Sequence, residues 1–354
     1  MPRLRRSDCS RPGFSRRRAH SREFRFSDES GRPVTDPEVI ERIGSLAIPP
    51  AWREVWICPD PMGHLQATGI DAAGRKQYLY HQRWRERRDQ QKFDEMLEFA
   101  RALPGLRRQV AHDIAGAQLT RERVLAGAVR LLDIGFFRVG SDDYAAQSGS
   151  RGLSTVLREQ VTARADGELL FDYTAKAGIR RVQSIADPEV HRLVLTLKRR
   201  RGGGERLLAY RVGRSWRELD ASDINLYLKE HAAGDFSAKD FRTWNATVLA
   251  AVGLAALGSD AQTKTARRRT INASVRQVAG FLGNTPAVCR ASYIDPRVFD
   301  PFLSGWTIGG ALTDLDVPLE ELDPSDRDTR EGIEAATLDL IADRRTDALE
   351  KIAA

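Results

Sequence analysis

The residues best suited to chemistry in this chain surround one tyrosine, in residues 284–293 (NTPAVCRASY). Pro286 suits the first turn of a helix, because its missing N–H costs no hydrogen bond there, and Asn284 or Thr285 can cap that turn. Tyr293 then lies about two turns into the helix. Such a tyrosine can be a core residue, a hydrogen-bonded surface residue or a nucleophile, and only its surroundings can distinguish these roles.

Cations upstream could form a phosphate site around the tyrosine. Arg138 has apolar neighbours on both sides, in the order Phe-Phe-Arg-Val-Gly, so we expect it to be partly buried and paired with an anion. Lys239 and Arg242 are three residues apart at the start of a predicted helix, where the helix dipole also favours an anion. Lys176 lies in a predicted hairpin turn, where a solvated lysine is common.

These residue types suit the cleavage of a phosphodiester by tyrosine. The five-coordinate phosphorus carries extra negative charge on its non-bridging oxygens, which two arginine forks match in geometry and charge, without a metal ion. The departing 5′ oxygen is a poor leaving group unless it is protonated, and a lysine with a reference pKa of about 10.4 could donate that proton. At pH 7 an ordinary tyrosine is only about one part in a thousand ionised, so nearby cations must assist its deprotonation.

Other catalytic constellations are not found. The six histidines are scattered without HExxH spacing, there is no GxSxG sequence, and no acidic cluster has obvious magnesium spacing. The basic stretch 198–206 (KRRRGGGER) lacks the GxxxxGK[ST] order of a P-loop and is expected to be a flexible hairpin loop. The sequence therefore disfavours a metal-dependent nuclease or polymerase, and we expect neither a metal nor another cofactor.

Composition points to a nucleic-acid partner. The chain has 354 residues, enough for two domains, and its 56 Lys and Arg outnumber its 49 Asp and Glu. The sequence pI of about 9.5 and the clustering of arginine favour a polyanion. Cys9, Cys58 and Cys289 are far apart and fit reduced thiols of an intracellular protein. The longest apolar run, 248–257, is too short to cross a membrane, so a soluble cytoplasmic protein is expected.

The pattern predicts an α+β protein of two domains with a basic arm. Residues 1–22 are rich in arginine without apolar periodicity and predict a flexible arm, which either contacts phosphates or is a solvated tail. Residues 23–88 predict a small β-rich domain. Residues 89–354 predict a larger, mainly α-helical catalytic domain with a β-hairpin or three-stranded sheet.

Within the small domain, residues 74–80 (GRKQYLY) predict a strand. Lys76, Tyr78 and Tyr80 alternate and so share one face of it. That face can lie against a sugar-phosphate backbone, or it can belong to an ordinary half-buried strand, and the pattern taken by itself favours the second.

Several elements must position the candidate site. They are a helix from about residue 82 that ends at Pro104-Gly105, a helix over 120–134, a hairpin of strands 168–173 and 180–185, a helix from residue 237 and a helix over about 262–282. Gly283 ends the last of these immediately before the tyrosine stretch.

These motifs resemble the type IB DNA topoisomerases of the small poxvirus and bacterial type. The segment around Arg138 is similar to that family's first catalytic arginine motif, and Lys-Asp-Phe-Arg-Thr-Trp, with Arg242, to the second. Tyr293 falls at the family's nucleophile, Lys176 at its general acid, and Lys239 in a supporting position. The resemblance also implies that the strand with Lys76, Tyr78 and Tyr80 contacts DNA.

Two positions depart from the family pattern. The expected aromatic-Val-Gly-Lys context of Lys176 is Tyr-Thr-Ala-Lys here. Nine residues before the tyrosine, poxvirus-type and nuclear relatives carry a histidine that donates a hydrogen bond to a non-bridging oxygen, whereas this chain has Asn284. Asparagine can donate the same bond but cannot carry a charge. Alternatively, Asn284 acts only as a helix cap.

The resemblance implies relaxation of supercoiled duplex DNA without ATP or metal, through a transient 3′-phosphotyrosyl link, by a monomer associated with the nucleoid. A tyrosine recombinase shares this chemistry, but it would bring a helical core-binding domain in place of the β-rich region. A non-catalytic DNA-packaging protein would explain the charge but not the ordered set of candidate catalytic residues.

Overall fold

The computed structural model describes residues 3–19, 23–313, 327–344 and 346–352. The chain divides into two compact units, Met1–Lys92 and Phe93–Ala354. The first contains a small sheet and the second is mainly helical, which confirms the predicted α+β class. The predicted boundary after residue 88 lies within one long helix, four residues before the observed division.

The first unit is built on a five-stranded antiparallel sheet of order β2-β1-β3-β4-β5. Its elements are β1 (Phe14–Arg18), β2 (Phe24–Ser27), α1 (Pro37–Ser45), β3 (Arg53–Ile57), β4 (Leu65–Ile70) and β5 (Lys76–Tyr80). Asp36 caps α1 by accepting a hydrogen bond from the Glu38 amide, and Pro37 opens the helix. A core forms where Ile43 of α1 packs with Val55, Ile57 and Ala67 of the sheet.

The arm expected over residues 1–22 differs from the structure, because residues 14–18 form β1 inside the sheet. Arg16 donates to the carbonyl oxygens of Ile48, Pro49 and Trp52 at 2.9 to 3.0 Å, and its guanidinium lies 4.2 Å from the Phe24 ring centre. Residues 1, 2 and 20–22 of the expected arm lie outside the described residues. Local composition could not reveal this strand, since its partners come from later segments of the chain.

The second unit is mainly helical. Its helices are α2 (Gln82–Ile114), which begins before the division, α3 (Arg121–Gly135), α4 (Asp142–Ser148), α5 (Pro188–Arg199), α6 (Ala221–His231), α7 (Ala238–Gly258), α8 (Lys264–Leu282), α9 (Pro286–Ser292), α10 (Phe299–Leu303), α11 (Gly309–Thr313) and α12 (Arg327–Ile341). The expected end of α2 at Pro104-Gly105 is wrong, because the helix continues and buries Leu106, Val110 and Ile114.

Three short sheets accompany these helices. Their strands are β6 (Val161–Ala163), β7 (Glu168–Thr174) and β8 (Arg180–Ala186) in one sheet, β9 (Ala209–Val212) with β10 (Ser215–Glu218), and β11 (Trp306–Thr307) with β12 (Glu350–Lys351). β7 and β8 are the two strands of the predicted hairpin. In the basic loop that follows α5, Arg200 is buried and donates to four carbonyl oxygens of its surroundings.

The helical unit is packed around α7. Trp244 and Phe241 of this helix are completely or almost completely buried in one apolar cluster, and Ala246, Ala250 and Leu254 further along it belong to a second. α7 therefore links the two halves of the core. In the described part of the chain, no helix combines the length and the apolar character that crossing a bilayer requires.

A buried ionic cluster joins α2, α3 and α12. Arg107 donates to both carboxylate oxygens of Asp133 at 3.0 Å and to those of Glu334 at 2.7 and 2.8 Å. Arg330 donates to Asp133 Oδ1 at 2.7 Å. Burial by itself would raise the pKa of Asp133, but Arg330 and Arg107 outweigh it and hold the pKa at about 2. Asp133 therefore stays ionised inside the protein.

We expect Asp133→Asn to lower the free energy of unfolding by about 3–5 kcal/mol at neutral pH, because it removes one of the two carboxylates that Arg107 and Arg330 share and leaves Glu334 alone to compensate both charges. Urea titration followed by circular dichroism measures this. Asp172→Asn is the control, since Asp172 forms an exposed pair with Arg180 and should contribute little.

The contribution of Asp133 to the free energy of unfolding changes with pH in one direction. The pKa of Asp133 in the folded protein lies below its ordinary value of 3.8, so its contribution is complete above about pH 4 and is lost as the pH falls towards 2. The stability difference between the parent protein and Asp133→Asn should shrink over that interval. A difference that stays constant from pH 6 to pH 2 would contradict this account.

Candidate active site

Three arginines meet at the carboxyl end of α8. Three successive carbonyl oxygens there each accept a hydrogen bond: Phe281 O from Arg181 Nη2 at 2.7 Å, Leu282 O from Arg242 Nη2 at 2.9 Å, and Gly283 O from Arg138 Nη2 at 3.1 Å. The carboxyl end of a helix carries unpaired carbonyls and partial negative charge, so it stabilises cations placed against it.

The sequence of α8 provides this end. Gly283 adopts φ +61°, the left-handed conformation that glycine allows at a helix end, and its amide donates to Ala279 O and Gly280 O. A Cβ atom on Gly283 would lie 2.9 Å from Nη1 of Arg181. Glycine is thus required both by the backbone conformation and by the close approach of an arginine.

Arg242 is the most buried of the three, with 3% of its surface exposed. It projects from α7, and its Nη1 donates to the carbonyl oxygen of Phe136, which follows the last residue of α3. Burial, and then the charge of Arg138, lower the pKa of Arg242 to about 10, so the group remains charged at neutral pH. Its guanidinium carbon lies 5.2 Å from the centre of the Tyr293 ring.

Asn284 directly follows the glycine. Its Oδ1 accepts a hydrogen bond from Arg138 Nη2, which fixes the orientation of the amide group. Its Nδ2 is buried and has no hydrogen-bond partner among the described residues, and the same holds for Nε of Arg242. Such buried donors are costly unless a ligand accepts from them.

Tyr293 is half buried at the end of α9. Thr285 caps this helix by accepting from the Val288 amide, and Pro286 occupies its first turn, as the sequence predicted. A hydrogen bond from α7 also holds the Tyr293 backbone, because Thr247 Oγ1 donates to the Tyr293 carbonyl oxygen at 3.4 Å. The nucleophile candidate is therefore fixed by the same helix that carries Arg242.

The two predicted lysines lie apart from this cluster. Lys176 is exposed at the tip of the β7–β8 hairpin, where Ala177 and Gly178 have positive φ, and its Nζ lies 5.8 Å from the ring centre of Tyr144 on α4. Lys239 is exposed at the first turn of α7, whereas Arg242 of the same helix is buried. Arg242 therefore donates to a carbonyl oxygen at the end of α8 and does not form an anion site with Lys239 at the start of α7.

Sequence reasoning missed two members of the site. Arg181 lies on β8, and Tyr173 on β7 is buried beside it, where burial raises the pKa of its hydroxyl against the opposing effect of Arg181. The available signal was strand alternation, which places Arg181 on the half-buried face of β8, where an arginine needs a partner.

The arginine cluster is suited to an anion. Arg138, Arg181 and Arg242 hydrogen-bond to carbonyl and amide oxygens, and in the described part of the chain no carboxylate forms an ion pair with any of them. Three guanidinium charges and two free N–H donors beside a tyrosine match the charge and hydrogen-bonding capacity of a phosphate group.

The first unit carries the other predicted residues. Lys76, Tyr78 and Tyr80 all lie exposed on one face of β5, as the alternation predicted. The tyrosine side chains are 48% and 37% exposed, their rings stack with centres 6.2 Å apart, and Lys76 Nζ is 5.9 Å from the Tyr78 ring. The result is an exposed aromatic and basic strip.

Comparison with known proteins identifies the class as DNA topoisomerase. Residues 81–297 match the family model of the eukaryotic DNA topoisomerase I catalytic core, and residues 23–71 match that of the bacterial DNA topoisomerase IB N-terminal domain. The catalytic-core match alone covers more than half of the chain and includes the arginine cluster and the tyrosine.

Individual relatives agree with this class. The chain is 28% identical over 299 residues to DNA topoisomerase 1B of Acanthamoeba polyphaga mimivirus, covering 80% of this chain and 85% of the relative. It is also 28% identical over 130 residues to DNA topoisomerase 1 of Daucus carota, covering 36% of this chain and 15% of the relative. The chain belongs to the type IB DNA topoisomerases, which are isomerases that act on DNA.

The cluster geometry predicts opposite effects for Gly280 inside α8 and Gly283, which ends it. Gly283→Ala should lower the free energy of unfolding by about 1–2 kcal/mol, because it forces a non-glycine residue into the left-handed region and against Arg181. Gly280→Ala should raise it by about 0.5–1 kcal/mol, since a Cβ there meets nothing within 4 Å. Urea denaturation of both variants tests this, and equal effects would contradict it.

Proposed function

We propose that this enzyme relaxes supercoiled duplex DNA by transient cleavage of one strand through a 3′-phosphotyrosyl intermediate, without ATP or a metal ion. One observation carries the proposal: a half-buried tyrosine lies beside the Arg242 guanidinium, in a cluster whose arginines form no ion pair with a described carboxylate, and Asn284 Nδ2 of this cluster has no hydrogen-bond partner among the described residues. A scissile phosphate would supply the missing anion and acceptor.

In the proposed reaction, the Tyr293 hydroxyl releases its proton to solvent and its oxygen forms a bond to phosphorus while the bond from phosphorus to the 5′ oxygen breaks. Arg138, Arg242 and Asn284 stabilise the non-bridging oxygens as charge accumulates on them. The freed strand rotates, and its 5′ hydroxyl then attacks the phosphotyrosine in the reverse reaction and expels the tyrosine. Each step breaks one phosphorus–oxygen ester bond and forms another, so no external energy source is needed.

Lys176 is proposed to protonate the departing 5′ oxygen. The residue lies exposed on a hairpin tip, so it is available to bound DNA. A turn with positive φ at Ala177 and Gly178 follows it. Lys239, exposed at the start of α7, would add a backbone phosphate contact.

DNA binding is proposed to involve the exposed strip of β5 in the first unit. Lys76 would contact a phosphate, while Tyr78 and Tyr80 would lie against the sugar-phosphate backbone. Contacts of this kind carry no sequence information and depend strongly on salt. The excess of basic residues over the chain supports such a binding mode.

Tyr293→Phe should abolish both relaxation and the covalent protein–DNA adduct, because only the hydroxyl oxygen can attack phosphorus. The measurement is conversion of a supercoiled plasmid to relaxed topoisomers in EDTA without ATP, with the adduct trapped by SDS. Tyr210→Phe in β9 is the matched control and should retain activity. Relaxation by the Tyr293→Phe protein would show that the nucleophile is another residue.

Lys76→Ala should weaken duplex binding about equally for unrelated sequences and should reduce the slope of log K against log salt by about one. Arg75→Ala is the control, because Arg75 is already paired with Asp71 at 2.9 Å. Fluorescence anisotropy at several salt concentrations measures both. An unchanged salt slope for Lys76→Ala would show that Lys76 does not contact a DNA phosphate.

A further inference from the structure

Arg181 is the member of the arginine cluster that matches none of the family motifs described above. Its Nη2 donates to Phe281 O at 2.7 Å, and its Nε donates to Gln183 Oε1 at 3.0 Å. Gln183 donates in turn to the carbonyl oxygen of Gly135, the last residue of α3. Arg181 therefore connects β8 with the ends of both α8 and α3, the two helices that lead into Asn284 and Arg138.

Arg181 also adds charge where Asn284 provides none. Its guanidinium lies against Gly283, since a Cβ atom on that glycine would be 2.9 Å from Nη1 of Arg181 and 4.0 Å from Nη1 of Arg138. The two cations thus flank the residue that precedes Asn284. Asparagine offers a hydrogen bond but no charge, so the site depends on its neighbours for positive potential.

The adjacent residue shows that this charge is not a general property of the strand. Arg180 is exposed, and its Nε and Nη2 donate to the two carboxylate oxygens of Asp172, at 2.8 and 2.6 Å. The charge of Arg180 is therefore compensated. Arg181, on the opposite face of β8, forms no ion pair with any described carboxylate.

We propose that Arg181 is a positioning residue of the phosphate site, which holds the turn that presents Asn284 and supplies the positive potential that an uncharged Asn284 lacks. This inference rests on the proposed function. Arg181 acts through Phe281 O and Gln183, and through its charge, without bonding to the phosphate itself.

The test compares Arg181→Gln with Arg181→Lys in the full-length protein. Both replacements can donate a hydrogen bond near Phe281 O, but only lysine keeps the charge. With enzyme in saturating excess over a supercoiled plasmid, Arg181→Gln should slow adduct formation about 10- to 100-fold, less than the about 100- to 1,000-fold expected for a direct donor. Arg181→Lys should retain more activity, and Arg180→Gln should stay within about twofold of the parent.

A second variant separates charge from folding. Asn284→His introduces a group that is charged below its pKa of about 6.5, and the cations facing it, Arg138 and Arg242, shift that interval downward. Tyr173 and Tyr293 are the other titratable groups near the cluster. In the Arg181→Gln background, Asn284→His should raise the rate at low pH and lose this effect as the pH increases through a value below about 6.5.

The outcomes are distinct. If the parent protein forms no adduct, the proposed function fails and this inference fails with it. If the parent is active but Arg181→Gln stays within twofold, or equals Arg181→Lys, the role of the Arg181 charge is refuted while the proposed function stands. A gain from Asn284→His that is the same at every pH, or the same in the presence of Arg181, also overturns the inference.

Discussion

The contact between three guanidinium groups and the carboxyl end of α8 is the interaction on which the site depends. Successive carbonyl oxygens of Phe281, Leu282 and Gly283 each hold one arginine, and each arginine comes from a different part of the chain. Because the carbonyls carry only partial charge, they orient the guanidinium groups without neutralising them. A carboxylate in the same place would cancel the potential that an anionic substrate needs.

The rest of the helical unit keeps this arrangement in place. Asp133, two residues before the end of α3, is held through its side chain by Arg107, and its carbonyl oxygen accepts from Asn245 of α7 at 2.8 Å and from Arg330 of α12 at 2.9 Å. Asn245 is three residues from Arg242 on the same helix. The segments that carry Arg138 and Arg242 are thus fastened to each other by buried polar contacts behind the site.

Much of the fold followed from the sequence because its signals are local. The pattern from Thr120 predicted α3, Gly283 predicted the end of α8, and Pro286 predicted the start of α9. The prediction failed where partners from elsewhere outweigh local preference. The basic composition of residues 1–22 hid the strand β1, which is stabilised by pairing with β2 and β3, and Pro104 did not end α2, because buried residues beyond it favour a continued helix.

The sequence by itself determined which residue types are available: a tyrosine after a helix start, arginines in apolar surroundings, a lysine in a hairpin turn and an alternating Lys-Tyr-Tyr strand. These depend on periodicity and on capping, which act within a few residues. Only the tertiary structure decided that Arg242 is buried against Tyr293 while Lys239 is exposed, and that Arg181 completes the cluster. The reason is physical: a guanidinium group acquires its partners, and so its role, from carbonyls that are far away in the chain and are brought near it only by packing.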